Sequence, residues 1–141
     1  MTRILKSGAL LSVVAFSLHL VWERVHIGFY TGYESLEGLL PVYLYATIGD
    51  VMYTLIGVGV SALLGIRIFN DARYHDRIVL SGMGLLIALF VEAKAMVLNR
   101  WEYADAMPLI YGFGLSPLLQ MILLLPLSVW ITAILVRRFG V

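Results

Sequence analysis

Three residues stand out chemically because they interrupt otherwise apolar runs: His19, Asp50 and Glu92. An ionisable side chain within a lipid-facing helix costs at least about 2.5–3.5 kcal/mol, so such residues normally face a bundle interior or water. A carboxyl group held there can release a proton to a substrate, while a second carboxylate or an imidazole accepts one. Glu92 and Asp50 are the candidate acid–base pair, with His19 as a further acceptor. Tyr53, one turn beyond Asp50, is placed to assist. Glu23, Asn99 and Arg100 are expected just above this group and Gln120 beside it, as substrate-binding residues.

A metal would use a different set. His19, Glu23 and His26 stand at i, i+4 and i+7, and Glu23-x-x-His26 is the local pattern of di-iron bundles. Those bundles need a second Glu-x-x-His, which this chain does not have, so Asp50 and Glu92 would have to supply the missing ligands. His75 lies in a charged connection and is expected to be solvated. There is no cysteine, which removes disulfides, thiolate metal sites and iron–sulfur clusters. No phosphate loop, dinucleotide fingerprint or nucleophile elbow is present. With a net charge of +1, no nucleic-acid footprint is implied.

These residues are carried by four long apolar segments. The chain has 141 residues, of which 61% are hydrophobic and 13% charged. A soluble domain of this size could not hide that much apolar surface, so lipid must cover part of it. A span needs about 20 apolar residues. The pattern predicts helices over about 4–22, 42–66, 78–98 and 117–136, with Ser116 as the N-cap of the last and Pro117 at its first position. The expected fold is an all-α, integral membrane four-helix bundle forming one domain.

Orientation follows from charge. Arg3 and Lys6 precede the first helix, Arg67, Arg73 and Arg77 lie between the second and third, and Arg137 and Arg138 follow the fourth. An excess of basic residues marks the cytoplasmic side. Both termini are therefore expected inside, in a multi-pass protein of the cytoplasmic (inner) membrane. The opposite side collects Glu23, Glu34, Glu37, Glu102 and Asp105, with Trp22, Tyr30, Tyr33, Tyr43, Trp101, Tyr103 and Tyr111 read as an interfacial aromatic belt. At about 1.5 Å per residue, His19, Asp50 and Glu92 reach similar depths in the outer leaflet. Small residues repeat on the same faces: Gly8, Ser12 and Ala15 with His19, Glu23 and His26; Thr54, Gly57, Ser61 and Gly65 with Asp50; Gly84, Ala88 and Ala95 with Glu92 and Asn99. Such stripes let helices approach closely in lipid. Lys94, two positions from Glu92, must point elsewhere.

The run Asn99-Arg-Trp-Glu-Tyr-Ala-Asp-Ala-Met-Pro108, then Gly112-Phe-Gly-Leu-Ser-Pro-Leu-Leu-Gln120, together with Gly49-Asp-Val-Met-Tyr53, resembles a group of small, uncharacterised prokaryotic four-helix integral membrane proteins. The resemblance spans most of the chain and implies a shared architecture. In short motifs only, the chain is also similar to the emopamil-binding, sterol-isomerase-like membrane family. Members of that family present a His-x-x-x-Glu pair and a Gly-Asp-Val-x-Tyr segment to an intramembrane pocket; here these are His19 with Glu23, and Gly49 to Tyr53. That similarity implies acid–base chemistry on a lipid.

Three functions fit: a lipid- or isoprenoid-directed acid–base enzyme with membrane lipid as partner, a non-catalytic subunit of a larger membrane complex, or a small proton- or ion-linked transporter working as a homo-oligomer. Against the transporter, no polar residue is expected to continue the path to the cytoplasmic face. The orientation has a direct test. Ser35→Cys and Asp105→Cys should react with an impermeant thiol reagent in intact cells, and Asp71→Cys and Gly140→Cys should not. Labelling of Asp71→Cys from outside would reverse the topology.

Overall fold

The computed structural model describes residues 2–33, 40–69 and 74–140, without the side chains of residues 2 and 3. Glu34, Ser35, Glu37, Asp71 and Arg73, and the side chain of Arg3, used above for orientation, lie outside the described residues.

Four α-helices dominate: α1 (Thr2–His26), α2 (Val42–Leu63), α3 (Tyr74–Val97) and α4 (Leu115–Phe139). All four contain stretches long and apolar enough to cross a membrane. α4 packs along both α1 and α3, α1 packs along α2, and the seam between α2 and α3 is lighter. Half of the most apolar stretch of α4 is buried, against 22–28% in the other helices, so α4 is the core of the bundle.

The helix ends differ from the expected ones for local reasons. α1 continues past Trp22 to His26, keeping His19, Glu23 and His26 on one continuous helix. α2 stops at Leu63 instead of Ile66, because Gly65 takes a left-handed conformation (φ 82°) and the Ile66 N–H turns back to the Ser61 carbonyl. That closure satisfies carbonyls the helix leaves unpaired. Gly65 is therefore an exposed cap and not part of the packing stripe. Asn99 plays the same part for α3. Its φ is 48°, and the Arg100 N–H closes on the Ala95 carbonyl. The N-cap of α4 is Gly114 and not Ser116, whose hydroxyl is engaged with α1.

A small cap covers one end of the bundle. After α1, a 3-10 turn (Ile27–Phe29) leads into β1 (Tyr30–Thr31), which pairs antiparallel with β2 (Glu102–Tyr103) beyond α3. β3 (Leu109–Ile110) pairs with β4 (Phe113–Gly114) just before α4. The two-residue turn between them, Tyr111-Gly112, has φ values of 50° and 86°, the paired positive values of the tight hairpin turn that suits twisted strands. The fold is thus a helical bundle with two very short ladders that the apolar pattern does not reveal.

Glycine permits the closest helix contacts. A Cβ on Gly84 of α3 would collide with the backbone carbonyl of Met121 on α4. At Gly57 of α2 it would meet only side-chain ends, Ile87 Cδ1 at 2.7 Å and Leu125 Cδ1 at 2.9 Å. Backbone cannot yield as a methyl can. Gly84→Ala should lower stability by about 2–3 kcal/mol through overpacking, and Gly57→Ala by less. Gly59→Ala, with open space around it, should be neutral or gain about 0.5–1 kcal/mol from helix propensity. Reversible unfolding in detergent micelles measures all three; equal losses would mean that this backbone approach does not hold α3 to α4.

Candidate functional site

The cap end of the bundle holds the ionisable residues. α1 brings His19, Glu23 and His26, α2 brings Asp50 and Thr54, α3 brings Glu92, and α4 brings Gln120. His19, Glu23, His26, Thr54, Glu92 and Gln120 are all buried.

Gln120 is the hub. Its Nε2 donates to Asp50 Oδ2 (2.8 Å) and to Glu23 Oε1 (2.9 Å), and lies 3.1 Å from His19 Nδ1. Glu23 Oε1 and Asp50 Oδ2 thus meet at one amide nitrogen. Its amide nitrogen carries two hydrogens, one for each carboxyl group. His19 Nε2 lies 3.1 Å from Thr54 Oγ1, and its Nδ1 stands 3.5 Å from Asp50 Oδ2. Both ring nitrogens are thereby occupied.

Glu23 is tied on its other side to His26, whose Nε2 lies 3.0 Å from Oε1. His26 Nδ1 meets Ser116 Oγ at 2.8 Å, and Trp22 Nε1 donates to the same hydroxyl at 3.3 Å. These contacts lock α1 to the start of α4. Glu92 accepts a hydrogen bond from the Tyr103 hydroxyl in the cap. Burial raises Tyr103 above the ordinary phenol range, and the bond to Glu92 adds to this. Burial raises Tyr30 as well, reinforced by the charges of Glu92 and Glu23. Both phenols therefore remain protonated at neutral pH. Tyr30 packs edge-on against His26 and Trp101 and leans on Tyr103, with ring centroids 5.4–5.9 Å apart.

A cavity of about 420 Å³ runs through this group. Glu23, Asp50, Glu92, His26 and Gln120 supply its polar wall, and Ile87, Ala88, Val91 and Met121 its apolar one. Tyr30, Tyr45, Tyr53 and Trp101 contribute aromatic faces. Its two long walls are α2 and α3, which pack on each other more lightly than α4 packs on α1 and α3 or α1 on α2. Asp50 keeps 18% of its side-chain surface accessible, whereas His19 keeps none.

The expected residues therefore divide. Glu92, Asp50, Glu23, Tyr53, Arg100 and Gln120 line the cavity. His19 does not; it sits behind Asp50 and Gln120 and positions them. Asn99 does not either, because it is the exposed left-handed cap of α3. Lys94 is exposed on its helix and contributes to the cavity lining with Arg100. Tyr30 and Tyr103 leave the aromatic belt and serve the site; Tyr111, 99% exposed, does not. Among the described residues, no three His, Asp or Glu side chains converge as a metal-binding group. The His19–Glu23–His26 set thus lacks geometric support, since its nitrogens are aimed at Thr54, Gln120, Glu23 and Ser116.

Sequence reasoning missed Thr54, Ser116 and Tyr103 as partners. Thr54 was visible only as a small residue on the right stripe, and Ser116 as a helix start. Tyr103 sits in a connection with no periodicity to place it. Compared with known protein families, curated proteins and solved structures, the chain gives no match.

If Gln120 is the hub, its loss should be felt through its partners. Gln120→Leu leaves two buried carboxyl groups without their donor and should destabilise by about 2–4 kcal/mol. Adding Asp50→Asn should restore part of that loss, a coupling of about 1 kcal/mol or more in a double-mutant cycle. Strict additivity in detergent unfolding would show that the two side chains act independently.

Proposed function

We propose that this chain is a multi-pass protein of the cytoplasmic membrane, with both termini inside, whose cap-end cavity takes an amphipathic lipid or isoprenoid from the outer leaflet and carries out acid–base chemistry on it. The observation that carries this reading is one cavity lined by carboxyl groups from three helices, Glu23, Asp50 and Glu92, within the apolar bundle. Keeping three such groups for packing alone would be costly.

The roles follow from the hydrogen bonds. Glu23 and Asp50 converge on one amide nitrogen, where two adjacent carboxyl groups share a proton more readily than both ionise, and Asp50, the member with accessible surface, can pass that proton to a substrate carbon or oxygen. Glu92 stands in the same cavity and can take a proton from a neighbouring atom. One proton in and one proton out leaves substrate and product at the same oxidation level, which describes an isomerisation. Gln120 and His19 hold the pair in place, and Tyr103 orients Glu92. Tyr53, with the aromatic faces around it, gives the reacting segment a water-poor wall, and the light α2–α3 seam is a route for a chain entering from lipid.

A proton-linked transport reading draws on a different observation. Beyond Thr54, the buried hydroxyls of Ser61, Ser128 and Thr132 have no hydrogen-bond partner, so polar groups do continue toward the other end of the bundle. The two readings separate in one experiment. Purified protein is incubated with total lipid extract in deuterated water, and the lipids are examined by mass spectrometry. The enzyme reading expects protein-dependent deuterium on carbon in one lipid class, lost in Asp50→Asn and in Glu92→Gln while both variants stay folded. Wild-type protein that labels no lipid, yet dissipates a pH gradient in vesicles in a Ser128→Ala-sensitive way, would replace enzyme by transporter. In infrared titration, a protonated-carboxyl band at neutral pH should vanish in Asp50→Asn or Glu23→Gln. Its absence from wild type would remove the shared proton.

A further inference from the structure

The opposite end of the bundle contains a second cavity, of about 330 Å³, between α3 and α4 and beside the segment that follows α2. Its chemistry is the reverse of the first. Arg77 and Arg137 supply its charge, and Leu80, Pro126, Val129 and Trp130 its apolar wall. α3 and α4 run antiparallel, so Arg77 near the start of one and Arg137 in the last turn of the other reach the same end. Leu80 and Val129 at its floor belong to the buried core.

Neither guanidinium makes an ion pair among the described residues. Asp76, beside Arg77 in sequence, is buried and does not line the cavity. Arg137 is already aimed: its Nε donates to the Ala133 carbonyl at 3.2 Å, which fixes the plane of the guanidinium and leaves its terminal amino groups for another acceptor. A cation near the start of a helix is unfavourable against the helix dipole unless an anion joins it, and this is the position of Arg77. Two planar forks from separate helices, set over an apolar floor, match a tetrahedral oxyanion carrying a hydrocarbon tail. Arginine rather than lysine is the side chain suited to bidentate phosphate recognition.

We infer that Arg77 and Arg137 form a phosphate-binding site for an anionic amphiphile, with the phosphate held between the two guanidinium groups and the start of its tail against Leu80, Val129 and Trp130. This site is independent of the acid–base cavity and does not rest on the reading proposed for it. The phosphate chemistry is common to a membrane phospholipid headgroup and a free phosphate ion, and the test separates them.

Detergent-purified full-length protein is titrated with short-chain phosphatidylglycerol, short-chain phosphatidylcholine and inorganic phosphate, with binding followed by native mass spectrometry and Trp fluorescence. One phosphatidylglycerol should bind per chain, at least about tenfold more tightly than phosphatidylcholine. Arg77→Gln and Arg137→Gln should each weaken it about tenfold, the loss of one charge-assisted contact. Arg137→Lys should recover only part, because charge returns without the fork. Arg67→Gln, an exposed arginine outside the cavity, should change nothing. Inorganic phosphate displacing the lipid at millimolar concentration would support the phosphate site and assign it to a soluble ion; failure to displace would assign it to the lipid. Equal binding of the two lipids overturns the inference. So does an Arg67→Gln effect as large as that of Arg77→Gln, which would mean diffuse attraction to a basic surface. Melting curves of the variants confirm that each compares folded protein.

Discussion

The contacts of the Gln120 amide hold the candidate site together. In an apolar bundle a carboxyl group cannot turn to water for hydrogen bonds, so its donors must come from the chain itself. Gln120 supplies hydrogens to Glu23 and Asp50 at once and approaches His19, joining α1, α2 and α4 in one polar knot. That knot explains why α4 is the most buried helix: it must reach the centre to deliver the amide. It also gathers two carboxyl groups and an imidazole around one amide nitrogen.

α3 is tied in differently. Glu92 takes its donor from Tyr103, outside the four helices, and Tyr103 is positioned by the pairing of Tyr30 with Tyr103 and of Thr31 with Glu102. A two-residue ladder is a weak element alone. It persists because the rings of His26, Tyr30, Trp101 and Tyr103 pack over it. The cap thus completes the wall of the cavity that the α2–α3 seam leaves incomplete.

Much of the architecture was legible in the sequence because membrane-length apolar runs have few alternatives. Four segments, their packing stripes apart from Gly8, Gly65 and Asn99, and the meeting of Asp50, Glu92, Glu23 and Gln120 in one cavity all follow from periodicity and from the rarity of charge in such runs. The remainder depended on geometry that periodicity does not encode. Asn99 looked like a site residue because it continues the Glu92 stripe, but the helix ends two residues earlier and Asn99 takes the left-handed turn. His19 looked catalytic because it is ionisable at the right depth, yet depth does not say which side of Asp50 it occupies. Tyr103 was indistinguishable from its aromatic neighbours because the strand that places it is two residues long. Ser116 fitted a helix N-cap by position, and only the approach of α1 shows that His26 and Trp22 claim its hydroxyl instead.

One packing constraint connects the two cavities. Straight helices that cross are closest at one point and diverge on either side of it. For α3 and α4 that point is Gly84 against the Met121 backbone, near the middle of α3, where no Cβ fits. Toward the cap, the space left by divergence is bounded by Ala88, Glu92, Gln120 and Met121; toward the other end it is bounded by Leu80, Arg77, Val129 and Arg137. The side chains along each direction differ in charge, so one close contact yields an acidic cavity on one side and a basic one on the other. Pro126 lies on the basic side, where its missing N–H frees the Ile122 carbonyl and makes α4 easier to bend away from α3. A larger residue at position 84 would separate the helices at the crossing itself. It would therefore alter both cavities together, although neither is lined by Gly84.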